Sequence, residues 1–566
     1  MNKAFIIGLD AATFDLIIPW IKEGALPNLA RLMEEGSYGK LKSTPNKVSP
    51  AAWTSFSTGK NPGKHGIYHF HAMDPSTLKL RLANATHRDA EPIWSYLSRV
   101  GKKVGIFNVP LTFPVDKVNG FMLAGWDAPS IKSEEFSYPS DLSREMLQQF
   151  SYIPTTPAIE VYKTNARPEL TLRKIHRDLD IRAEMVEYLM KRKEWDFFTA
   201  VFVAIDQVQH YFWHEMDGQP SIPGLTKAKI HGGAIRTVYE KCDRIVGRLV
   251  NNLDEDTLIV VMSDHGGTIN SLGSHYLPRW LEELGLAKTK CAADLKCSST
   301  RYATHQALST LKKFTYNQLS SRLNYKLKNY LKSIVGTNMG LAKASKLKLA
   351  GYDWSQTKVY VAGSNLRVNL KGREIHGIVS PGKEYEDLRD FVIEKLYETR
   401  DTETGRKVVK AAFRREEVYH GKHVEEAPDL ITAWTEGIVI SGMSCTDKNG
   451  REIRITERIP SPNKWSGQHS DYGILIAKGP HIIRGKEINN AEILDIAPSI
   501  IHLMGLAVPD DIDGRVLTNM LSESFLCRHP IKSTKSRDSS RGRDSNDYSE
   551  EDAERVKEQL KNLGYL

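Results

Sequence analysis

Cysteine is scarce in this 566-residue chain, which has five: Cys242, Cys291, Cys297, Cys445 and Cys527. The number is odd and no CxxC spacing occurs, so neither a disulfide framework nor a thiolate zinc site organises the protein. Long apolar runs are lacking too. No stretch of roughly 18 apolar residues is present, and a membrane-spanning helix is not expected. The first residues, MNKAFIIGLD, hold an apolar run of about six that ends in Asp10, too short for a signal peptide. The expected compartment is the cytoplasm. Internal repeats are absent as well. What remains is a chain of ordinary globular composition, 40% apolar and 9% aromatic, long enough to bury a large core.

Charge is unevenly spread. The net charge is +9, yet 286–349 alone holds 13 Lys and Arg against one acid, Asp294. That stretch reads as basic amphipathic helix with interleaved Tyr and Leu. It is either a surface for an anionic partner or a solvated helical insertion. Elsewhere, short apolar runs alternate with helical patterns. AFIIGL precedes DLIIPWIKEGALPNLARLMEEG; GKKVGIFNV follows EPIWSYLSRV; FFTAVFVAI and TLIVVM flank the amphipathic 234–252. This is the pattern of an α/β fold, a central mostly parallel sheet with helices on both faces. The expected organisation is a catalytic domain over 1–270 and 355–525, with the alternation resuming at KVYVAG and Gly363 as a turn. A basic helical insertion or cap spans 271–354. A polar, disordered linker follows at 530–550, then a C-terminal helix at 551–566.

Three apolar runs end in acids: Asp10, Asp206 and Asp264. Ligands of open α/β sheets bind beyond the carboxyl ends of the strands, so these acids can converge. Two carry histidine companions. In DQVQH, Asp206 and His210 are four apart and can share one side of a helical turn or a tight loop; Asp264 and His265 are adjacent and followed by two glycines. GQHSDYG adds His469. VSPAAWTSFSTGKNPGKHG offers a hydroxyl, Ser49 or Thr54, and Ser49-Pro50 looks like a helix start with Ser49 as cap. A plain cap is the simplest reading of Ser49 alone. His65, His69, His71, His214, His275 and His481 read as structural or supporting residues. Together, however, the acids, imidazoles and hydroxyl match what phosphate-ester hydrolysis needs. Two cations about 4 Å apart can clamp the attacking and leaving oxygens, imidazole and carboxylate suit zinc or manganese, and a hydroxyl nucleophile must be activated.

The order of these segments resembles the alkaline phosphatase superfamily and, within it, the type I phosphodiesterase/nucleotide pyrophosphatase family. The family's T-F-P-N-W…T-G-x-x-P-x-x-H-G segment is matched through Thr58-Gly59, Pro62 and His65-Gly66, which puts its nucleophile on Ser49 and its aromatic residue on Trp53. Its D-x-x-x-H falls on Asp206 and His210, its S-D-H-G on Ser263 to Gly266, and its late histidine on His469. The resemblance covers about 3–270 and 355–520. It implies two divalent metal ions, zinc or else manganese: one on Asp206, His210 and His469, the other on Asp10, Asp264 and His265, with Ser49 reaching both. Trp53 and Thr54 are the candidate substrate contacts, with Thr54 the reserve nucleophile. The family's Asn is Ala52 here. The implied substrate is an anionic phosphate ester: a nucleotide, a sugar-nucleotide or a lipid-linked phosphate. Two other readings stand beside hydrolysis. One is a phosphomutase or phosphotransferase of the same superfamily. The other is a non-catalytic binder of anionic glycan, lipid or nucleic acid.

Overall fold

The computed structural model describes residues 3–150, 167–219, 222, 230–289, 351–456, 465–537 and 548–563. Most of the expected helical insertion, 290–350, lies outside the described residues, as do 538–547 of the expected linker.

A ten-stranded sheet forms the centre. Five parallel strands make its heart: β1 (Ala4–Leu9), β3 (Val104–Phe107), β4 (Gly120–Leu123), β5 (Phe197–Phe202) and β6 (Leu258–Met262), in the spatial order β6-β1-β5-β3-β4. On the β6 side the sheet continues with β9 (Tyr472–Lys478) and then β2 (Ser37–Lys42), both pairs antiparallel. A two-stranded ribbon, β7 (Gly266–Ile269) against β8 (Gly467–Ser470), projects between β6 and β9. Every residue of β1, β5 and β6 is buried. This follows from their uninterrupted apolar, β-branched and aromatic content, which suits a strand covered on both faces. The covering helices include α1 (Ser49–Thr58), α2 (Pro168–Arg192), α3 (Ala204–Phe212) and α4 (Ala234–Val250), the last packed on both α2 and α3.

Residues of 355–525 fall in more than one hydrophobic cluster. β9 and the helix Ile496–Leu503 join the main core. Tyr276, Trp280, Val359, Leu396, Trp434 and Ile455 belong to a second cluster. Its sheet is antiparallel, in the order Val359–Ala362, Asn365–Val368, Leu430–Trp434, Val409–Arg414. KVYVAG therefore does not resume the parallel alternation. Gly363, at φ 66°, and Ser364 close a two-residue hairpin, and a connection that short can join only antiparallel strands. The FFTAVFVAI run also splits: β5 stops at Phe202 and α3 begins at Ala204. Part of the polar C-terminal stretch is paired, Ser533–Thr534 lying parallel to Val508–Pro509. The terminal helix, Glu550–Leu563, buries Val556 and Leu560 in the main core.

One close approach ties sheet to site. Gly8 lies in β1 against Trp53 of α1, where an added Cβ would fall 2.4 Å from Trp53 Cη2 and 2.9 Å from Val201 Cγ2. Gly8→Ala is accordingly expected to cost about 1–3 kcal/mol through overpacking and to lower activity by displacing α1. Denaturant unfolding would measure the first effect; wild-type stability in the variant would contradict the account.

Candidate active site

The carboxyl ends of β1, β5 and β6 bring the acids together. Asp10 follows β1 directly. Asp206 occupies the first turn of α3, where four-residue spacing stacks it under His210. Asp264 and His265 close the three-residue connection, Ser263 to His265, between β6 and β7. His469 sits in β8, opposite Gly267 in the ribbon. The glycine matters, since a Cβ there would overlap Gln209 Oε1.

Ser49 is the first residue of α1, and Val48 takes the cap position with no side-chain capping hydrogen bond. The expectation of Ser49 as a cap is thus shifted by one residue, because Val48 already supplies the carbonyl that accepts from Ala52 N. The Ser49 hydroxyl is left for the cluster, with Oγ 3.3 Å from His265 Nε2. Trp53, expected on the substrate side, is fully buried and donates its indole N–H to Asp10 Oδ2 at 3.2 Å. Thr54 lies deeper in the helix, where its carbonyl accepts from Ser57 and Thr58.

All three imidazoles are oriented in one way. Backbone carbonyls accept from Nδ1 of each: Gly467 O for His210 at 3.0 Å, Gly266 O for His265 at 3.1 Å and Lys47 O for His469 at 2.6 Å. A carbonyl oxygen can only accept, so each Nδ1 carries a proton and each Nε2 turns inward. There the atoms crowd. His210 Nε2 is 3.3 Å from His469 Nε2 and 3.1 Å from Asp206 Oδ1, which is itself 3.4 Å from His469 Nε2. His265 Nε2 is 3.2 Å from Asp264 Oδ2 and 3.8 Å from Asp10 Oδ1. Asp10 Oδ1 and Asp264 Oδ2 are buried without a hydrogen-bond partner. Lone pairs facing lone pairs, fixed by outer hydrogen bonds to the opposite ring nitrogens, form a donor set made for cations. Two groups have ligand atoms all within 4.8 Å of one another: Asp206, His210 and His469, and Asp10, Asp206 and His265. Asp206 stands in reach of both groups.

The electrostatics agree. Burial, with the charges of Asp264 and Asp206, pushes Asp10 well above the usual carboxylate range. Burial and Asp206 raise Asp264 to about 7. For Asp206, burial works upward, but the imidazoles of His210 and His469 outweigh it and hold the carboxyl low. His265 is kept neutral, first by burial and then by His469. Without a cation, protons must sit where positive charge is wanted, and metal binding at such a site displaces them.

Some supporting residues carry no sequence signal. The carbonyls of Lys47, Gly266 and Gly467 are of this kind, since any residue has one. Trp465 stacks on His210 with ring centroids 4.0 Å apart and bonds Tyr211 Oη at 2.8 Å. Gln209 was within reach of inspection, lying inside DQVQH: its amide donates to Ala11 O at 2.9 Å and Tyr239 Oη at 3.0 Å, tying α3 to the turn after Asp10.

A family model described as type I phosphodiesterase / nucleotide pyrophosphatase matches residues 4–458. No curated protein matches the chain. Similar solved structures include murine ectonucleotide pyrophosphatase/phosphodiesterase 5, an inactive form in complex with AMP, at 13% identity and TM-score 0.48 over 92% of this chain and 100% of that one. The human form has 12% identity and TM-score 0.46, with the same coverage. Phosphonoacetate hydrolase from Sinorhizobium meliloti 1021 in complex with phosphonoformate has 13% identity and TM-score 0.48, over 88% of this chain and 94% of that one.

The raised Asp264 has a measurable consequence in chelator-treated protein. Its folded pKa of about 7 exceeds an unfolded value of about 3.9. Its contribution to stability is therefore full below pH ~4 and lost as pH rises through about 7. Asp264→Asn should match wild type near pH 4 and exceed it by a few kcal/mol at pH 8. Denaturant melts across this range check it; a difference that does not change with pH would contradict it.

Proposed function

The chain belongs to the type I phosphodiesterase/nucleotide pyrophosphatase family, and from that premise we propose that it cleaves phosphodiester or pyrophosphate bonds through a phosphoseryl intermediate on Ser49. The observation that carries this reading is the convergence of Ser49 Oγ, the buried carboxylates of Asp10 and Asp264, the partly exposed Asp206 and three inward-turned imidazoles at one end of the parallel strands. Two divalent cations are held there in this reading, zinc being proposed and manganese the alternative. Asp206, His210 and His469 hold one; Asp10, Asp264 and His265 hold the other. When bound, the cations neutralise the anionic ester and ease removal of the serine proton.

The remaining work falls to the chain itself. Ser49 Oγ, free of any capping role, attacks phosphorus; an O–P bond forms, and the leaving oxygen departs with its electron pair. Water then attacks the same phosphorus and returns the serine. The N-terminus of α1 carries the positive end of the helix dipole at the place where non-bridging phosphate oxygens gather charge. This field stands in for the family's Asn, which is Ala52 here. Trp53 braces Asp10 from behind, and the carbonyls behind the imidazoles keep their Nε2 atoms aimed inward. The substrate class in this reading is a nucleotide, sugar-nucleotide or lipid-linked phosphate ester, met in the cytoplasm. The charge of 286–349, 13 Lys and Arg against one acid, suits such an anionic substrate.

The test compares bis(p-nitrophenyl) phosphate with p-nitrophenyl phosphate on chelator-stripped protein resupplied with zinc or manganese. Metal-dependent turnover of the diester is expected, with Ser49→Ala lowering kcat by at least ~10³-fold, in keeping with losses of a nucleophile elsewhere. A preference for the monoester would move the reading to a phosphatase or mutase. Turnover unaffected by Ser49→Ala would overturn the phosphoseryl step.

A further inference from the structure

Two residues before Ser49, the backbone of Lys47 adopts a left-handed conformation, φ 40°, at the end of a turn closed by Lys47 N donating to Thr44 O at 2.9 Å. A long side chain disfavours this region, and it persists only where the surroundings impose it. Here both halves of the residue are engaged. Its carbonyl accepts the Nδ1–H of His469 at 2.6 Å. Its side chain is 14% exposed, and the ammonium lies 2.6 Å from Asp471 Oδ1 and 3.0 Å from Glu436 Oε1. Asp471 is two residues past His469, so one lysine grips the β8–β9 strand connection twice, by backbone at the imidazole and by charge just beyond it. Glu436 comes from the segment following Leu430–Trp434, a strand of the second sheet, and also accepts from Asp471 N at 2.9 Å. Lys410, on that sheet's edge strand, pairs with the other oxygen of Asp471 at 2.7 Å. Beside Lys47, Asn46 receives a hydrogen bond from Asn365 of the same sheet at 3.0 Å.

We propose that Lys47 is a positioning residue: its ion pairs with Asp471 and Glu436 hold its strained carbonyl against His469 Nδ1, fix that imidazole's tautomer and aim, and so make the metal-ligand geometry depend on the seating of the antiparallel lobe. This rests on the assignment of His469 as a metal ligand. Removal of the ammonium leaves Asp471 and Glu436 close together with Lys410 as the remaining cation in the cluster. The carboxylates then part, the backbone relaxes out of the left-handed region, and the carbonyl leaves the imidazole, whose ring is free to turn or to change tautomer. Loss of an outer partner of this kind costs about 10- to 100-fold in metal affinity.

Zinc binding to the full chain, measured by competition with a chromophoric chelator, tests this in Lys47→Met, Lys47→Arg and Glu436→Gln. Lys47→Met is expected to weaken one of two zinc ions by about 10- to 100-fold while the other keeps its affinity, and to lower kcat with little change in KM. Lys47→Arg should restore most of the loss. Glu436→Gln, whose side chain touches no ligand, should act in the same direction but less, and combining it with Lys47→Met should give less than the sum of the two losses. Wild-type affinity for both ions in Lys47→Met, with kcat within twofold, overturns the proposal. Should that variant fail to fold, unchanged zinc affinity in Glu436→Gln overturns it instead. A wild-type protein that takes up no zinc or manganese overturns the metal assignment beneath it, an outcome separate from a wild type that binds two ions and a Lys47 variant that binds them equally well.

Discussion

Three carboxylates share a space from which water is almost excluded, and the rest of the structure depends on how that is tolerated. Asp10, Asp206 and Asp264 repel one another, and burial deprives each of the solvation that would soften the repulsion. Such an arrangement is stable only with compensating positive charge. In the absence of metal, burial works against the charge on His210 but Asp206 shifts the imidazole upward, and the raised Asp264 carboxyl favours its proton. A divalent cation at the candidate ligand groups would supply the compensating charge more fully.

The scaffold answers that constraint with rigidity. β1, β5 and β6 are buried on both faces, so the acids at their ends stand on the least deformable part of the sheet. Asp206 and His210 share a helical turn, and Gln209 locks that turn to Ala11 and Tyr239. The imidazoles are aimed by backbone carbonyls, which cannot be mutated away, only displaced. Gly8 lets Trp53 approach β1 closely enough to brace Asp10. Glycine at 267 leaves room for Gln209 in the same manner. The antiparallel lobe enters the site at one remove, through Lys47 and Asn46 of the loop before Ser49.

Much of this was legible in the sequence, for physical reasons. Buried parallel strands must be apolar throughout, so AFIIGL, FFTAVF and LIVVM stand out, and the acids after two of them mark the ligand edge. The i, i+4 pair Asp206 and His210 encoded a helical turn. What escaped was decided by tertiary context. The residues after Phe202 are as apolar as the strand itself, so the change to α3 left no break in hydropathy. The KVYVAG hairpin was disguised because a short apolar strand looks the same in a parallel or antiparallel sheet, and only its two-residue turn tells them apart. Trp53 sits on the same helix as Ser49, yet spacing did not reveal that it points into the core. The orienting role of Lys47 is carried by its carbonyl and by partners nearly 400 residues away and more than 400 away, which no local pattern records.

The central claim is that six residues, Asp10, Asp206, His210, Asp264, His265 and His469, hold two cations beside Ser49. Anomalous diffraction from crystals of the zinc-loaded full chain, collected on both sides of the zinc absorption edge, tests it most directly. The account predicts two anomalous peaks, one among Asp206, His210 and His469 and the other among Asp10, Asp264 and His265, with Ser49 Oγ in reach of both. A single peak, or peaks away from Ser49, would contradict it.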